Sequence, residues 1–229
     1  MNAAGQNALL ADDRARAQDI TPVSRETLMR LDHLVEALLA WQQTRNLIAP
    51  STMPVIWTRH VADSLQLLDL APDAKIWVDL GSGGGFPGLV LACALAERAG
   101  AIVHLVESTM KKCAFLQAVV GELALPAKVH CDRVENVIPA FPVTPHVVTA
   151  RAFAPLPKLL EMAFPLLRKG ALGLFPKGQD VGSELTEAAK YWIIGHRLVA
   201  SRTDERARIV VVESLERRHL ASKPRRPSR

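Results

Sequence analysis

The chain has 229 residues and a mass of 25.0 kDa, is 49% hydrophobic and 22% charged, and so is neither disordered nor fibrous and is long enough to bury a core. Its formal charge of +5 belongs to one end: from Arg217 onward six Lys and Arg residues stand without an acid, which leaves −1 for residues 1–216. The longest apolar stretch, Leu89 to Ala96, is far short of the ~20 residues of a membrane-spanning helix, so no membrane partner is expected.

The amino terminus, Met1 to Gln6 with Asp12 and Asp13 soon after, shows no basic segment ahead of an apolar one, and a cytoplasmic protein without a signal peptide is expected. A short helix is expected around Leu9 to Ala17. From Ser24 to Arg45, Leu28, Leu31, Leu34, Val35, Leu38 and Trp41 recur at three and four, which predicts an amphipathic helix with Ser24 as its N-cap. Pro54 then opens a second helix through Val55, Val61, Leu65 and Leu68. On it Arg59 and Asp63 stand four apart, which suits either a helix ion pair or a contact between sections. Residues 1–72 thus read as a helical section packed on the core that begins after them.

At Lys75 the pattern changes to short apolar runs alternating with helical stretches, the pattern of a parallel sheet covered on both faces. Strands are predicted at 75–80, 101–106, 128–131, 146–150, 171–176, 194–200 and 208–213, with helices near 88–99, 110–124, 156–168 and 183–192. The last two strands follow each other without a helix, so the fold class is α/β and Rossmann-like: a seven-stranded, mostly parallel sheet closed by an antiparallel hairpin. The core spans 73–214, and residues 215–229 form a basic tail with two prolines that is expected to be disordered. That tail suits either a tether for a polyanion or a plain solvated terminus.

Cys93, Cys113 and Cys131 form no C-x-x-C pair, and an odd count without framework spacing predicts neither a disulfide nor a zinc site. The seven histidines contain no H-E-x-x-H, so no metal is expected. The chemistry instead points to the turn after the first strand, Gly81-Ser82-Gly83-Gly84-Gly85-Phe86-Pro87-Gly88. Glycine is needed where backbone approaches a ligand closely, and a strand before and a helix after strengthen the match. Glu107, ending the next strand, can accept hydrogen bonds from a ribose diol. Asp79, just before the loop, suits the ammonium of a methionine moiety and would repel a pyrophosphate, so S-adenosylmethionine is expected rather than NAD.

The segment just after the fourth strand narrows the acceptor. Amine methylases of adenine and cytosine carry an Asn/Asp-Pro-Pro-aromatic loop there, whereas this chain has Thr149-Ala150-Arg151-Ala152-Phe153. Arg151 offers a planar fork of donors for guanine O6 or a phosphate, and Lys177, ending the next strand, could add a second positive contact.

With Trp41 and Asn46-Leu47, Arg59 to Ser64, Asp79 to Gly88, Val106-Glu107-Ser108, Lys111-Lys112, Arg133-Val134-Glu135, Arg151 to Leu156 and Lys177-Gly178, the chain resembles the RsmG (GidB) family of bacterial 16S rRNA guanine-N7 methyltransferases. The resemblance spans about residues 24–213. It implies a class I methyltransferase acting on a guanine in the helix 18 loop of the decoding region, with 16S rRNA or the small ribosomal subunit as partner. It also implies that Gly81 and Phe86 line the cofactor loop, that Val134 and Glu135 flank the adenine, and that Arg151 closes the site. Gly83, Glu107 and Asp79 complete the cofactor set, Arg151 and Lys177 the catalytic one, and a monomer is expected. Guanine N7 carries a lone pair and no proton, so direct displacement needs no general base. Methylation of another RNA and an NAD-dependent oxidoreductase remain the alternatives.

Overall fold

The computed structural model describes residues 3–218. Helix α1 (Ala3–Ile20) is longer than expected, because good helix formers flank the predicted span, Ala3, Ala4, Gln6 and Ala8 before it and Gln18 after it. Helix α2 (Arg25–Gln42) starts where the sequence places it, with the Ser24 side chain accepting from Thr27 N. Trp41 at its end meets Phe115 edge to face, with ring centroids 5.7 Å apart.

The second helix predicted from Pro54 is not a regular α-helix. Pro50–Val55 form a 3₁₀ turn, Trp57–Ala62 a π-helix, Asp63–Leu65 a single α turn (α3) and Leu68–Leu70 another 3₁₀ turn. Prolines at 50 and 54 remove amide donors, and the buried Asp13 carboxylate of α1 accepts from Trp57 N (2.8 Å) and Thr58 N (3.2 Å). Amides that would have bonded to the preceding turn are thus claimed by a side chain 44 residues away, and the winding loosens.

The remaining elements alternate: β1 (Ile76–Leu80), α4 (Gly88–Leu95), β2 (Ile102–Glu107), α5 (Met110–Glu122), β3 (Ala127–Cys131), α6 (Val134–Val137), β4 (Val147–Thr149), α7 (Leu156–Leu167), β5 (Leu172–Lys177), α8 (Val181–Ala188), β6 (Trp192–Ala200) and β7 (Arg208–Arg217). The sheet order is β3-β2-β1-β4-β5-β7-β6, with β7 antiparallel to both neighbours. Alternation along each strand divides the core. Trp77 packs on one face with Leu31, Leu34 and Leu38 of α2 and Phe115 of α5, while Val78 packs on the other with Leu160 and Phe175. The N-terminal section therefore shares one hydrophobic core with the sheet.

Four expectations change. The turn α6 was not predicted; it is a four-residue piece too short to show a period. Strand β6 begins at Trp192 rather than 194, and β7 runs on to Arg217, because Trp192 pairs with Arg217 in the hairpin. Residues 215–217 are thus sheet and not tail: Leu215 is buried, and the Arg217 guanidinium lies over the rings of Phe164 (5.3 Å) and Trp192 (5.0 Å). The rest of the predicted tail, 219–229, lies outside the described residues. Finally, Cys113 and Cys131 are joined as a disulfide with Cα atoms 5.8 Å apart, against the expectation of none. Sheet register explains it, since Glu107 stands opposite Cys131 and α5 folds back over the end of β2.

Candidate active site

A cleft of about 1310 Å³ opens at the carboxyl ends of β1, β2, β4 and β5, the edge where open α/β sheets bind ligands. Eight residues singled out from sequence line it: Gly81, Gly83, Phe86, Glu107, Val134, Glu135, Arg151 and Lys177. The ninth, Asp79, does not. It is fully buried under the loop, where its Oδ2 accepts from Gly88 N at 3.1 Å and its Oδ1 has no hydrogen-bond partner. Burial, opposed in part by the Gly88 amide, pushes this carboxyl up to about 7. Asp79 shapes the loop from below rather than facing the cleft.

The glycines divide by what surrounds them. A Cβ at Gly81 would lie 2.1 Å from the Phe153 ring, and one at Gly88 would meet Leu105 at 2.2 Å, so these two serve packing within the protein. Gly83 differs: its φ of +56° is left-handed, and a Cβ there would meet only Gly81 O at 3.7 Å. The loop therefore leaves free, on the cleft side, the space that a side chain would fill. Glu107 fixes this geometry, accepting from Gly83 N at 2.9 Å through Oε2 and from Thr109 N at 2.7 Å through Oε1. A carboxylate has about four acceptor sites, so both oxygens retain lone pairs toward the cleft. Next to it, Asp132 Oδ1 accepts from Arg133 N (2.6 Å) and Asn136 Nδ2 (2.8 Å), which sets the Arg133 to Glu135 wall.

The opposite end is built from distant segments. Arg151, just beyond β4, donates from Nη1 to Arg59 O (2.9 Å) and to Asp63 Oδ2 (3.3 Å), and from Nη2 to His60 Nδ1. An arginine has only donors, so His60 Nδ1 accepts, and its Nε2 carries the proton given to Thr52 Oγ1 at 2.8 Å. Burial, helped by the charges of Arg151 and Arg59, lowers His60 to about 3, so the ring is neutral at physiological pH. Its ring stacks on Phe86 with centroids 4.8 Å apart, and the Arg151 guanidinium lies 5.6 Å from the same Phe86 ring. Asp63 does not pair with Arg59 along the helix. Its Oδ1 accepts instead from Gln66 Nε2 (2.9 Å) and from Thr203 Oγ1 (3.0 Å) in the β6–β7 turn. Lys177 is likewise engaged, donating to Ala154 O at 2.8 Å and to Glu184 at 2.7 Å.

Sequence reasoning missed the roles of His60, Phe153, Glu184 and Gln42. Gln42 Oε1 accepts from Leu47 N and Ile48 N at 2.9 and 3.1 Å, which folds those two residues into the cleft wall. The two-sided environment of Arg59 to Ser64 was visible only as a segment, whereas Glu184, in the first turns of α8, gave no signal.

Residues 27–218 match the family described as rRNA small subunit methyltransferase G. A protein named Ribosomal RNA small subunit methyltransferase G from Bradyrhizobium sp. strain BTAi1 is 56% identical over 209 residues, covering 91% of this chain and 94% of the relative. Its namesake from Bradyrhizobium sp. strain ORS 278 is 55% identical over 217 residues, covering 95% and 97%. Among solved structures, an O-methyltransferase from Bacillus cereus in complex with SAH superposes with a TM-score of 0.60 at 14% identity, covering 91% of this chain and all of that one.

Proposed function

The chain belongs to the rRNA small subunit methyltransferase G family, and on that premise we propose that it methylates guanine N7 in the helix 18 loop of 16S rRNA, using S-adenosylmethionine. The observation that supports this most is the open position at Gly83 beside Glu107: a left-handed turn with room for a ligand against its backbone, next to a carboxylate with acceptor capacity left. These residues fit an adenosine cofactor. Gly81, Gly83 and Phe86 would hold its methionine side, Glu107 the ribose, and Val134 and Glu135 the base. Asp79 would act through the loop, by fixing Gly88.

When bound, S-adenosylmethionine supplies a methyl group on a positively charged sulfur. The protein's part is placement. At roughly 1310 Å³ the cleft exceeds the ~1,000 Å³ upper range of small-molecule pockets, which leaves room for a nucleobase beside the cofactor. The Arg151 fork, held by Asp63 and His60, would receive the guanine edge or a neighbouring phosphate, and Lys177 would steady the wall across from it. N7 has no proton to lose, so the neutral His60 is not asked to act as a base. In A-form RNA N7 lies in a deep, narrow groove, so the target must be an unstacked loop base. The working unit would be a monomer in the cytoplasm, acting on 16S rRNA or the small subunit.

Calorimetry tests the cofactor: S-adenosylhomocysteine should bind and NAD should not, and tight NAD binding without a response to S-adenosylhomocysteine would overturn the reading. Mass spectrometry of 16S rRNA from cells with and without the protein tests the target base.

A further inference from the structure

We propose that Cys113 and Cys131 are a reversible redox modification site, closed by a peroxide and opened by a thiol reductant, that stiffens the wall of the cleft formed by Asp132 to Glu135; its effect on cofactor binding rests on the function proposed above.

The placement carries the argument. Cys113 lies in the first turn of α5 directly after Lys112, and Cys131 ends β3 directly before Asp132, and both of those neighbours line the cleft. Their joining adds a covalent link between two packed elements that each carry a cleft residue, immediately behind Glu107, the residue that holds the Gly83 amide. The wall beyond Cys131 continues from β3, which is the edge of the sheet, into the single turn α6, which enters the core through Val134 and Ile138.

Both redox states have a place in this fold. As a thiol, Cys113 is 3.2 Å from the Glu107 carbonyl oxygen and can donate to it, while Cys131 Sγ lies 3.4 Å from the sulfur of Met110, itself an exposed residue. Cys131 is partly exposed and Cys113 is buried, which orders the chemistry. The Cys131 thiolate attacks one oxygen of the peroxide; the O–O bond breaks, and the departing oxygen leaves as water or alcohol once protonated. The Cys113 thiol then attacks the sulfenic sulfur; the S–S bond forms, the S–O bond breaks, and the hydroxide takes the Cys113 proton to leave as water. The dithiol loses two electrons and the peroxide gains them. Thiol–disulfide exchange with a dithiol reverses the step. Cys93, fully buried and free, supplies an internal control.

With the bond closed, the Asp132 to Glu135 segment is held in its ligand-ready arrangement, and the ordering cost on binding falls. The test uses the full chain, reduced with dithiothreitol, desalted and exposed to hydrogen peroxide without denaturant. The expected result is the loss of two hydrogens in intact mass and a peptide linking Cys113 to Cys131, with Cys93 unmodified. Oxidised protein should bind S-adenosylhomocysteine at least about threefold more tightly than reduced protein. Cys131→Ser should bind like the reduced form whatever the treatment, and Cys113→Ala gives the same comparison should that variant misfold. Absence of the linked peptide overturns the site, and equal affinity of the two forms overturns the coupling. If neither form binds S-adenosylhomocysteine, the methyltransferase reading and the coupling fail together, while the linked peptide still establishes the bond.

Discussion

The two ends of the cleft are made in different ways. The glycine-loop end is local: β1, the turn and the start of α4 lie within twenty residues, and Glu107 reaches back 24 positions to Gly83. The Arg151 end is assembled from side chains 88 to 140 positions apart, gathered on Asp63. The first end depends on main-chain conformation, so one substitution there acts by shape. The second depends on charge pairing in a buried network, so a substitution there acts on stability and placement together.

The sharpest break is Gly83→Val. A branched side chain at φ +56° is strained and enters the free space of the loop, so cofactor affinity should fall by roughly a hundredfold or more in calorimetry, with the sheet still formed by circular dichroism. Retained affinity would show that the ligand does not use this face of the turn.

At the other end, Arg151→Ala should lower methyl transfer by about tenfold or more, and it should also cost about 3 kcal/mol in urea unfolding by leaving the Asp63 carboxylate buried without its cation. Arg151→Ala combined with Asp63→Asn should recover part of that stability and none of the activity. Equal stability of Arg151→Ala and the wild type would mean that the network is not formed in solution. Arg151→Lys should rescue transfer only in part, since an ammonium lacks the fork.

Acid sharpens the contrast further. His60 and His104 are held down to about 3 and about 4, chiefly by burial, from an ordinary value of 6.5. The unfolded chain therefore takes up protons first, and their contribution is complete above 6.5 and is lost as the pH falls from there toward 4. Asp79 runs the other way: its folded value near 7 against 3.8 means that it stays protonated in the native state, so its contribution is lost as the pH rises from 3.8 toward 7. Two histidines outweigh one carboxyl, and unfolding free energy should drop by on the order of 1–3 kcal/mol between neutral pH and pH 5. Asp79→Asn should steepen that fall and His60→Gln flatten it; a pH-independent stability would contradict both assignments.

The smallest effect is expected at Lys177→Met, which removes the ion pair to Glu184 but leaves that carboxylate its hydrogen bond from Leu156 N. A loss of about 1 kcal/mol and a transfer rate within about threefold of wild type would place Lys177 in the wall, whereas a tenfold fall in rate would place it on the substrate.

What could be read from sequence obeys the same division. Short apolar runs and the 3.6 period located all seven strands and the four longer helices of the sheet, and the glycine turn with Glu107 was legible because its spacing is local. Arg151 was legible as a position, at the end of a strand, but its partners were not, because Asp63 could equally pair with Arg59 four residues before it. The Asp13 carboxylate that loosens the second helix is 44 residues from the amide it caps, and Cys131 meets Cys113 only through strand register. No window along the chain holds such pairs. Arg217 misled for a different reason, as a cation in a basic run whose aromatic partners, Phe164 and Trp192, are supplied by other elements.

Asp63 also sets a schedule. One of its oxygens waits for Arg151 and the other for Thr203, in the turn between the last two strands. A ribosome making this chain from the amino terminus releases the glycine turn long before that hairpin emerges, so Asp63 completes its set of partners only once residue 203 has been made. Fraying of the hairpin tip would undo the same contact while the strands stay paired.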